Sequence, residues 1–354
     1  MNSERLPILI TAIGGGGHGE QILKALRLAE NGRYFIVGAD AQRNSYQATF
    51  VDEFLTLPFA SDPAYMSKLL QICEKYRIKA LFHGCEPELK LFSKNRAEIE
   101  GREIFLPINS EEVIDLCMDK QATNQRLTKM GFLAPKYCVV RNREEIGQID
   151  WFPVVVKPSV GGGGSANVYI AQDQTELLGL ANYLGLDTIA GSFVIQEYVG
   201  TPGDEYTVGV LHDMDGNYIN SIAVHRQLSG QLNVRQSVTN CTGRAELGNR
   251  LVISSGVSHG YVGRFEEITK QCAEIAAAIG VRGAVNIQCR FVNGKVRVFE
   301  INPRFSGTTS LRAMMGYNEP DVLIRRHVLG EKIDVDFSYE EGQVLRGLVE
   351  YRTR

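Results

Sequence analysis

The chain has 354 residues, 44% of them hydrophobic and 22% charged, and a formal net charge of -3. These values are typical of a globular protein with two or three packed units, and the small charge argues against nucleic acid or an anionic membrane as a partner. No apolar run approaches the ~18–20 residues of a membrane-spanning helix. The start of the chain lacks the features of a signal peptide, and the seven cysteines are scattered without a CxxC pair. We therefore expect a cytoplasmic protein without disulfides or structural zinc.

In the first third, short apolar runs alternate with amphipathic helical patterns. The predicted strands are LPILITAI, YFIVGAD, ALFHG and REIFLPI, and the predicted helices are GEQILKALRLAE and AYMSKLLQICEKYR. Alternation of strand and helix at this spacing predicts an open, doubly wound parallel sheet.

The pattern changes after about residue 115. A helix in DKQATNQRLTKMGF precedes a strand, and residues 152–199 contain two strand-rich stretches around the helix TELLGLANYLG. Residues 205–224 and 284–302 are predicted to form antiparallel strands with turns at MDGN and VNGK, with the helix EEITKQCAEIAAAIG between them. A closing helix and a final strand or two are expected from DVLIRRHVLG onward. The complete chain is therefore predicted to be α/β followed by α+β.

The first glycine run, in ITAIGGGGHGEQILKAL, lies between a predicted strand and a predicted helix. Backbone N–H groups at such a junction form an anion site. Three interpretations stay open: a tight turn without a ligand, a site for a substrate phosphate or carboxylate, and a dinucleotide site formed by Gly14, Gly16, Gly19 and Asp40. Any run of four glycines satisfies the dinucleotide pattern easily, so that pattern is weak evidence.

The second glycine run, in PVVVKPSVGGGGSANVYIA, lies between two predicted strands. A glycine-rich hairpin can fold over a polyphosphate and donate backbone N–H groups to it, and Lys157 at the end of the strand would add a positive charge. The alternative is an ordinary surface hairpin.

Two further segments carry polar groups suited to a nucleotide. In IQEYVGTPGDEYTV a strand runs into a turn, so its backbone can offer a purine a carbonyl and an amide, and Glu205 could bind ribose hydroxyls. In VRVFEIN, strand alternation puts Val298, Glu300 and Asn302 on one face. Oxygen ligands spaced in this way suit Mg²⁺ held mainly by nucleotide phosphates. The alternatives are solvated strand ends for the first segment and a buried Glu300–Arg304 pair for the second.

These segments together resemble the ATP-grasp superfamily, and the chain is most similar to the carbamoyl-phosphate-synthase large-subunit branch, as a single ATP-grasp unit. The resemblance rests on MDKQATNQRLTKMGFLAPKY, Lys157 before GGGG, IQEYVGTPGDEYTV, NIQ and FEINPRFSG. It implies a pre-ATP-grasp domain at residues 1–115, a small subdomain with a glycine-rich lid at 116–195, and a large subdomain with a metal site at 196–354.

The resemblance also implies roles for individual residues. ATP would be bound at its phosphates, adenine and ribose by Lys120, Lys157, Gly162, Gly163, Gly164, Glu197, Val199 and Glu205. Magnesium (or manganese) would be bound by Gln288, Glu300 and Asn302. Arg304 would stabilise the transferring phosphoryl group. His225, Arg226 and Arg235 lie in the segment where related enzymes hold their acceptor, and each could equally be a surface salt-bridge residue.

The function that the resemblance implies is an ATP- and Mg²⁺-dependent carboxylate–amine ligase that acts through an acyl-phosphate and releases ADP and phosphate. Its partners would be a small-molecule carboxylate and an amine, with a homodimer as an open option. A single unit without an ammonia-producing domain makes carbamoyl phosphate an unexpected product. The alternatives are a small-molecule kinase, carboxylate phosphorylation as in carbamoyl phosphate synthase, a non-catalytic nucleotide-binding regulator, and a nicotinamide-dependent oxidoreductase.

Overall fold

The structure of the protein, a computed structural model, describes residues 5–140, 142–159, 167–185 and 193–352. No helix in these ranges has both the length and the apolar character needed to cross a membrane. The described elements form an N-terminal parallel sheet followed by antiparallel sheets, so the predicted fold class is confirmed.

The N-terminal unit is a parallel sheet with the strand order β3-β2-β1-β4. Its strands are β1 (Leu6–Ile10), β2 (Tyr34–Asp40), β3 (Glu53–Thr56) and β4 (Ala80–Phe82), and its helices are α1 (His18–Arg27), α2 (Tyr65–Tyr76), α3 (Glu86–Lys94) and α4 (Arg96–Glu100). Alternate residues of β1 enter different cores: Ile8 and Ile10 pack with α1, whereas Leu9 packs with α2 and α3. Both faces of the sheet are therefore covered, as the continuous apolar pattern of β1 predicts.

One strand prediction for this unit is wrong, and one strand was not predicted. REIFLPI is not a strand, because within the described residues only Phe105 pairs with the sheet, as an isolated parallel bridge to Ala80. The edge strand β3 was not predicted, since EFLT is short and its burial alternates only weakly.

The second unit contains an antiparallel sheet with the order β5-β8-β6-β7. Its elements are α5 (Glu111–Met118), α6 (Lys120–Lys129), β5 (Tyr137–Val140), α7 (Arg143–Ile146), β6 (Val154–Pro158), β7 (Tyr169–Ala171), α8 (Gln174–Leu184) and β8 (Phe193–Glu197). The predicted boundary after residue 115 lies inside α5, and the predicted boundary after residue 195 lies inside β8. Asp119 caps α6 by accepting hydrogen bonds from the N–H groups of Gln121 and Ala122 (2.8 and 3.0 Å). This cap makes Lys120 the first residue of α6.

The third unit is built on an antiparallel sheet with the order β15-β14-β9-β10-β13-β16, beside the hairpin β11-β12. Its elements are β9 (Glu205–His212), β10 (Tyr218–Arg226), β11 (Val234–Thr239), β12 (Arg250–Ser254), β13 (Gly260–Gly263), α9 (Glu266–Ile279), β14 (Ala284–Val292), β15 (Lys295–Asn302), α10 (Thr309–Met314), α11 (Glu319–His327) and β16 (Gly342–Val344). Helix α9 packs its buried side, which includes Ile268, Cys272 and Ile275, on this sheet.

Buried hydrogen bonds join the N-terminal unit to the large sheet. Asn109, which is 1% exposed, donates to the carbonyls of Ala284 (3.0 Å) and Pro303 (3.1 Å) and accepts from the N–H of Arg282 (2.8 Å). The segment just before Arg304 is therefore held directly by the linker that follows the parallel sheet.

Candidate ATP and phosphoryl-transfer site

A cavity with about 730 Å³ of open space lies between the second and third units. Its lining includes seven residues that the sequence predicted for ATP or metal binding: Lys120, Lys157, Glu197, Val199, Glu205, Gln288 and Glu300. These residues come from α6, β6, the end of β8, β9, β14 and β15, so only the tertiary fold brings them together.

Part of the lining of this cavity is apolar, and the turn that follows β8 also lines it. Val155, Val168, Ile253 and Phe299 line it. Among the described residues, the N–H of Val199 has no hydrogen-bond acceptor, so this N–H is available to a ligand. Apolar walls with a few backbone polar groups are typical of a pocket for an aromatic base.

Lys157 lines the same cavity and is 5% exposed. Its Nζ donates to Gln196 Oε1 (2.8 Å) and to the carbonyl of Phe299 (2.9 Å). Burial lowers the pKa of Lys157 to about 7; the charge of Glu300 opposes this shift and that of Lys120 adds to it. A buried cation whose charge is so weakly compensated is suited to bind a phosphate.

The predicted metal ligands lie on neighbouring antiparallel strands. Gln288 of β14 is opposite Glu300 of β15, and Asn286 is opposite Asn302. The oxygen of Asn286 already accepts hydrogen bonds from Thr207 (2.8 Å) and from an arginine of α10 (2.6 Å). The predicted set thus has one carboxylate and two amides, which suits a Mg²⁺ ion bound mainly through nucleotide oxygens. Within the described ranges, no three His, Cys, Asp or Glu side chains cluster as metal ligands.

The prediction that Val298 shares a face with Glu300 and Asn302 is wrong. The register shifts between Gln288 and Cys289, so that Phe299 has no partner on β14. This β-bulge reverses the side-chain alternation. Val298 is consequently buried in the same core as Ile301, and Glu300 lines the cavity.

Arg304 follows β15 and pairs with the N-terminal unit. Its Nη2 donates to Glu86 Oε1 (3.0 Å) and to Asn302 Oδ1 (3.0 Å), and its Nη1 donates to the carbonyl of Phe305 (3.1 Å). The alternative of a Glu300–Arg304 ion pair is therefore wrong, because the carboxylate that pairs with Arg304 is Glu86. A second cavity, with about 580 Å³ of open space, is lined by Glu86, Arg304 and Asn302 and also by Lys120 and Glu300.

Comparisons with known proteins match both halves of this architecture. The family described as "ATP-grasp in the biosynthetic pathway with Ter operon" matches residues 191–345, and "PylC-like, N-terminal domain" matches residues 8–106. Residues 191–345 thus match the model of an ATP-grasp family.

The curated relatives that this chain matches include carbamoyl phosphate synthase large chains. That of Mesorhizobium japonicum is 30% identical over 251 residues, which are 65% of this chain and 20% of the relative. That of Clostridium botulinum strain Eklund 17B is 28% identical over 199 residues, 55% of this chain and 17% of the relative. The chain thus spans about a fifth of the length of these relatives. The resemblance to this branch is confirmed.

Solved structures share the fold of this chain at low sequence identity. Biotin carboxylase from Campylobacter jejuni has a TM-score of 0.63 and 17% identity, covering 91% of this chain and 70% of that one. L-amino acid ligase from Bacillus licheniformis has a TM-score of 0.63 and 17% identity, covering 92% and 74%. N5-carboxyaminoimidazole synthetase from Staphylococcus aureus, complexed with ADP, has a TM-score of 0.61 and 14% identity, covering 97% and 82%.

Glu205 lines the larger cavity but is only 2% exposed. Its two oxygens pair with Arg226 (3.0 Å) and Arg290 (3.2 Å). The carboxylate is therefore already used by two buried cations, and this arrangement does not support the predicted contact with ribose. Arg226, predicted as an acceptor-binding or surface residue, is instead buried in this network.

Arg290 was missed by the sequence analysis. It lies directly opposite Glu205 in the pairing of β9 with β14. Its guanidinium stacks over the ring of Tyr198 at 4.3 Å and donates to the carbonyl of Val199 (3.0 Å). Arg290 thus holds the turn after β8 in place. Only the register of β9 against β14 could have predicted this role of Arg290, and the sequence alone does not reveal that register.

His225 and Arg235 are not brought to the two cavities. Because Arg226 faces Glu205, the adjacent His225 faces the other side of β10, where it stacks on Tyr206 at 4.6 Å and its Nε2 lies 2.6 Å from the carbonyl oxygen of Gly203. Arg235 is exposed at a register shift in β11 and lines neither cavity. Gly162, Gly163 and Gly164 lie outside the described residues, so the lid remains a prediction.

The first glycine run forms the turn between β1 and α1. Both oxygens of Asp40 accept backbone N–H bonds within this unit, from Gly14 (2.8 Å) and Gln42 (2.9 Å). A dinucleotide fold would need that carboxylate for the ribose, so the oxidoreductase alternative loses its main support.

The turn leads into a buried histidine pair that the sequence analysis also missed. His18 Nε2 lies 3.1 Å from His83 Nδ1. Burial, and then the charge of Arg304, lowers the pKa of both imidazoles, to about 3 for His83. The carboxyl ends of β1 and β4 therefore face the Arg304 side of the site. The sequence did contain a signal for a site here, because His83 and Glu86 closely follow a parallel strand, where α/β proteins bind ligands.

Proposed function

We propose that the protein is an ATP- and magnesium-dependent carboxylate–amine ligase that forms an amide through an acyl-phosphate and releases ADP and phosphate. The observation that carries the proposal is that Lys120 and Glu300 line both cavities. A phosphoryl group at this junction could pass from a nucleotide in the larger cavity to a carboxylate in the smaller one. The name of the neighbouring L-amino acid ligase also supports carboxylate–amine ligation.

Different groups of residues would bind the adenine, the phosphates and the metal. The backbone of Glu197 and Val199 would bind the adenine edge, and Lys120 and Lys157 would bind phosphates. Gln288, Glu300 and Asn302 would hold magnesium or manganese, which neutralises phosphate charge when bound. The neighbouring structures complexed with ADP and MgADP support both assignments.

The proposed reaction has two steps. First, a carboxylate oxygen attacks the γ-phosphorus, the bond to the β,γ-bridging oxygen breaks, and ADP leaves; Lys120 and Arg304 balance the charge on the transferring group. Second, the amine attacks the acyl carbon, the carbon–oxygen bond breaks, phosphate leaves, and the amine nitrogen loses a proton to solvent. The protein would then mainly position the reacting groups and supply positive charge, which its Lys and Arg side chains at the site can do.

Hydroxylamine trapping tests this proposal. Carboxylates are screened with ATP, Mg²⁺ and hydroxylamine, and we expect one to yield a hydroxamate with an equal amount of ADP, because an acyl-phosphate is electrophilic. Glu300→Gln keeps the side-chain volume and removes the charge, so its ADP release should fall by ~100-fold or more. Glu274→Gln, at an exposed position of α9, is the matched control and should behave like the unmodified protein.

Other outcomes identify the alternatives. AMP with pyrophosphate would contradict the mechanism, since these products indicate an acyl-adenylate. A phosphorylated product that resists hydroxylamine would indicate a small-molecule kinase. ADP release with bicarbonate alone would indicate carboxylate phosphorylation of the carbamoyl-phosphate-synthase kind, and ATP binding without any ADP would indicate a regulator.

We also propose a cytoplasmic location and a homodimer. The dimer is supported by the 2-oxoglutarate carboxylase biotin carboxylase domain of Hydrogenobacter thermophilus, which has a TM-score of 0.64 and 16% identity and is described as a dimer. Light scattering on the purified chain tests the dimer, and a mass equal to one chain would contradict it.

A further inference from the structure

The N-terminal unit contributes a carboxylate to the phosphoryl-transfer site. Glu86 Oε1 accepts from Arg304 Nη2 at 3.0 Å, although the two residues are 218 positions apart. Both side chains line the smaller cavity, and both are largely shielded from water, at 29% and 14% exposure. An ion pair so shielded restricts the guanidinium more strongly than one on an open surface.

The same nitrogen of Arg304 also donates to Asn302 Oδ1 at 3.0 Å. Asn302 is a proposed metal ligand, so one terminal NH2 group of Arg304 donates both to the metal-binding strand and to the N-terminal unit. The Nε of Arg304 is buried and has no partner among the described residues. Glu86 is accordingly the one anionic side chain that holds this guanidinium within the described part of the chain.

Glu86 is itself held rigidly. It is the first residue of α3, where the helix dipole favours a negative charge. The preceding loop is fixed by Glu88, which is 4% exposed and accepts from the N–H of Gly84 (2.9 Å), Thr11 Oγ1 (2.7 Å) and Tyr65 OH (2.6 Å). The backbone that carries Glu86 is therefore fixed, whereas a carboxylate that only binds substrate could lie on a mobile segment.

We propose that Glu86 is a positioning residue, which orients Arg304 toward the transferring phosphoryl group and so makes the N-terminal unit part of the catalytic machinery. This inference rests on the proposed function. A guanidinium that is already oriented before the reaction can stabilise the negative charge that develops on the phosphoryl group, because it does not have to rearrange during the transfer. Removing the carboxylate should therefore weaken binding of the transition state more than binding of the nucleotide.

Binding of MgADP with and without aluminium fluoride tests this inference without knowledge of the substrate. Aluminium fluoride beside MgADP mimics a phosphoryl group in transfer, and transition-state mimics bind at least ~100-fold more tightly than ground-state ligands. In Glu86→Gln we expect the dissociation constant for MgADP to stay within about twofold, while the tightening by aluminium fluoride falls by ~10-fold. Glu86→Asp keeps the charge and should recover part of the tightening.

Glu98→Gln is the matched control. Like Glu86, Glu98 is a carboxylate of the N-terminal unit that pairs with an arginine, but its partner is Arg102 and the pair is more exposed. Full tightening in Glu86→Gln, or an equal loss of MgADP binding, would overturn this inference alone. MgADP binding to the unmodified protein without any tightening would overturn the proposed phosphoryl transfer and this inference with it. If Glu86→Gln does not fold, Glu86→Asp provides the test, with reduced tightening at an unchanged melting temperature as the expected result.

Discussion

At the scale of single residues, the charge state of Lys157 depends strongly on its surroundings. With a pKa of about 7, this side chain is largely neutral above neutral pH when no nucleotide is bound. A bound polyphosphate favours the protonated form. Nucleotide binding and protonation of Lys157 are therefore linked, and each strengthens the other.

We predict that ATP binding at pH 8 takes up close to one proton, about 0.9 for a group with a pKa near 7, and far less at pH 6. ATP affinity should be greatest below pH 7 and fall by up to ~tenfold per pH unit above it, because the protein must then pay to protonate the lysine. Calorimetry in two buffers with different ionisation enthalpies measures the uptake.

Lys157→Arg is the control for this prediction, since a guanidinium stays charged throughout this range. The variant should show no extra proton uptake at pH 8, and its affinity should no longer depend on the charge of residue 157. Equal uptake by the variant and the unmodified protein would assign the proton to another group, including the nucleotide itself.

At the scale of elements, two loops at the carboxyl ends of β1 and β4 pack backbone against backbone. A Cβ atom on Gly84 would lie 2.0 Å from the carbonyl oxygen of Thr11, and one on Gly19 would lie 2.4 Å from that of Ala12. Glycine is required here by close approach, at positions without the positive φ that Gly15 and Gly16 adopt. The His18–His83 pair beside these loops is buried.

The buried pair predicts an acid-sensitive contribution to stability. Both histidines have a lowered pKa in the folded protein, so below pH ~6.5 the unfolded chain binds protons that the folded chain does not. The contribution is complete above that pH and is lost as pH falls toward about 3, the pKa of His83. Each histidine should lower the free energy of unfolding by up to ~1.4 kcal/mol for each unit by which the pH falls in this window.

Thermal unfolding at pH 6.5 and at pH 5 measures the effect. The double replacement His18→Gln with His83→Gln removes the titrating groups and keeps polar side chains, so it should flatten the pH dependence in this interval. A slope as steep as that of the unmodified protein would mean that carboxylates alone cause the acid sensitivity.

In the whole molecule, Asn109 joins the parallel sheet to the large antiparallel sheet. Replacing Asn109 by Ala leaves three buried backbone groups, those of Arg282, Ala284 and Pro303, without this partner. We expect the free energy of unfolding to fall by about 2 kcal/mol or more, because an unsatisfied buried polar group costs about 1–3 kcal/mol. The N-terminal unit should also begin to unfold separately.

Differential scanning calorimetry tests this prediction through the number of transitions. Asn95→Ala is the matched control, since within the described residues the side chain of Asn95 bonds only to the carbonyl of Leu91, in its own unit. Its loss should leave the transition between units unchanged. One cooperative transition in Asn109→Ala, within ~0.5 kcal/mol of the unmodified protein, would show that other contacts hold the two sheets together.

The sequence by itself determined the features that arise from neighbouring residues. The alternation of strand and helix predicted the parallel sheet, because side-chain period follows from local backbone geometry. The segments around Lys157, Glu197 and Glu300 predicted a nucleotide cavity, and the structure brings all three to one cavity. These motifs are short, and each is contained within a single strand and its turn.

Only the tertiary structure decided which charged groups meet. The bulge at Phe299 separates Val298 from Glu300, and the pairing of β9 with β14 gives Glu205 to Arg290 instead of leaving it for a ligand. The contact of Glu86 with Arg304 joins residues far apart in the chain. Register, bulges and domain docking result from the packing of distant surfaces, and no periodicity within one segment contains that information.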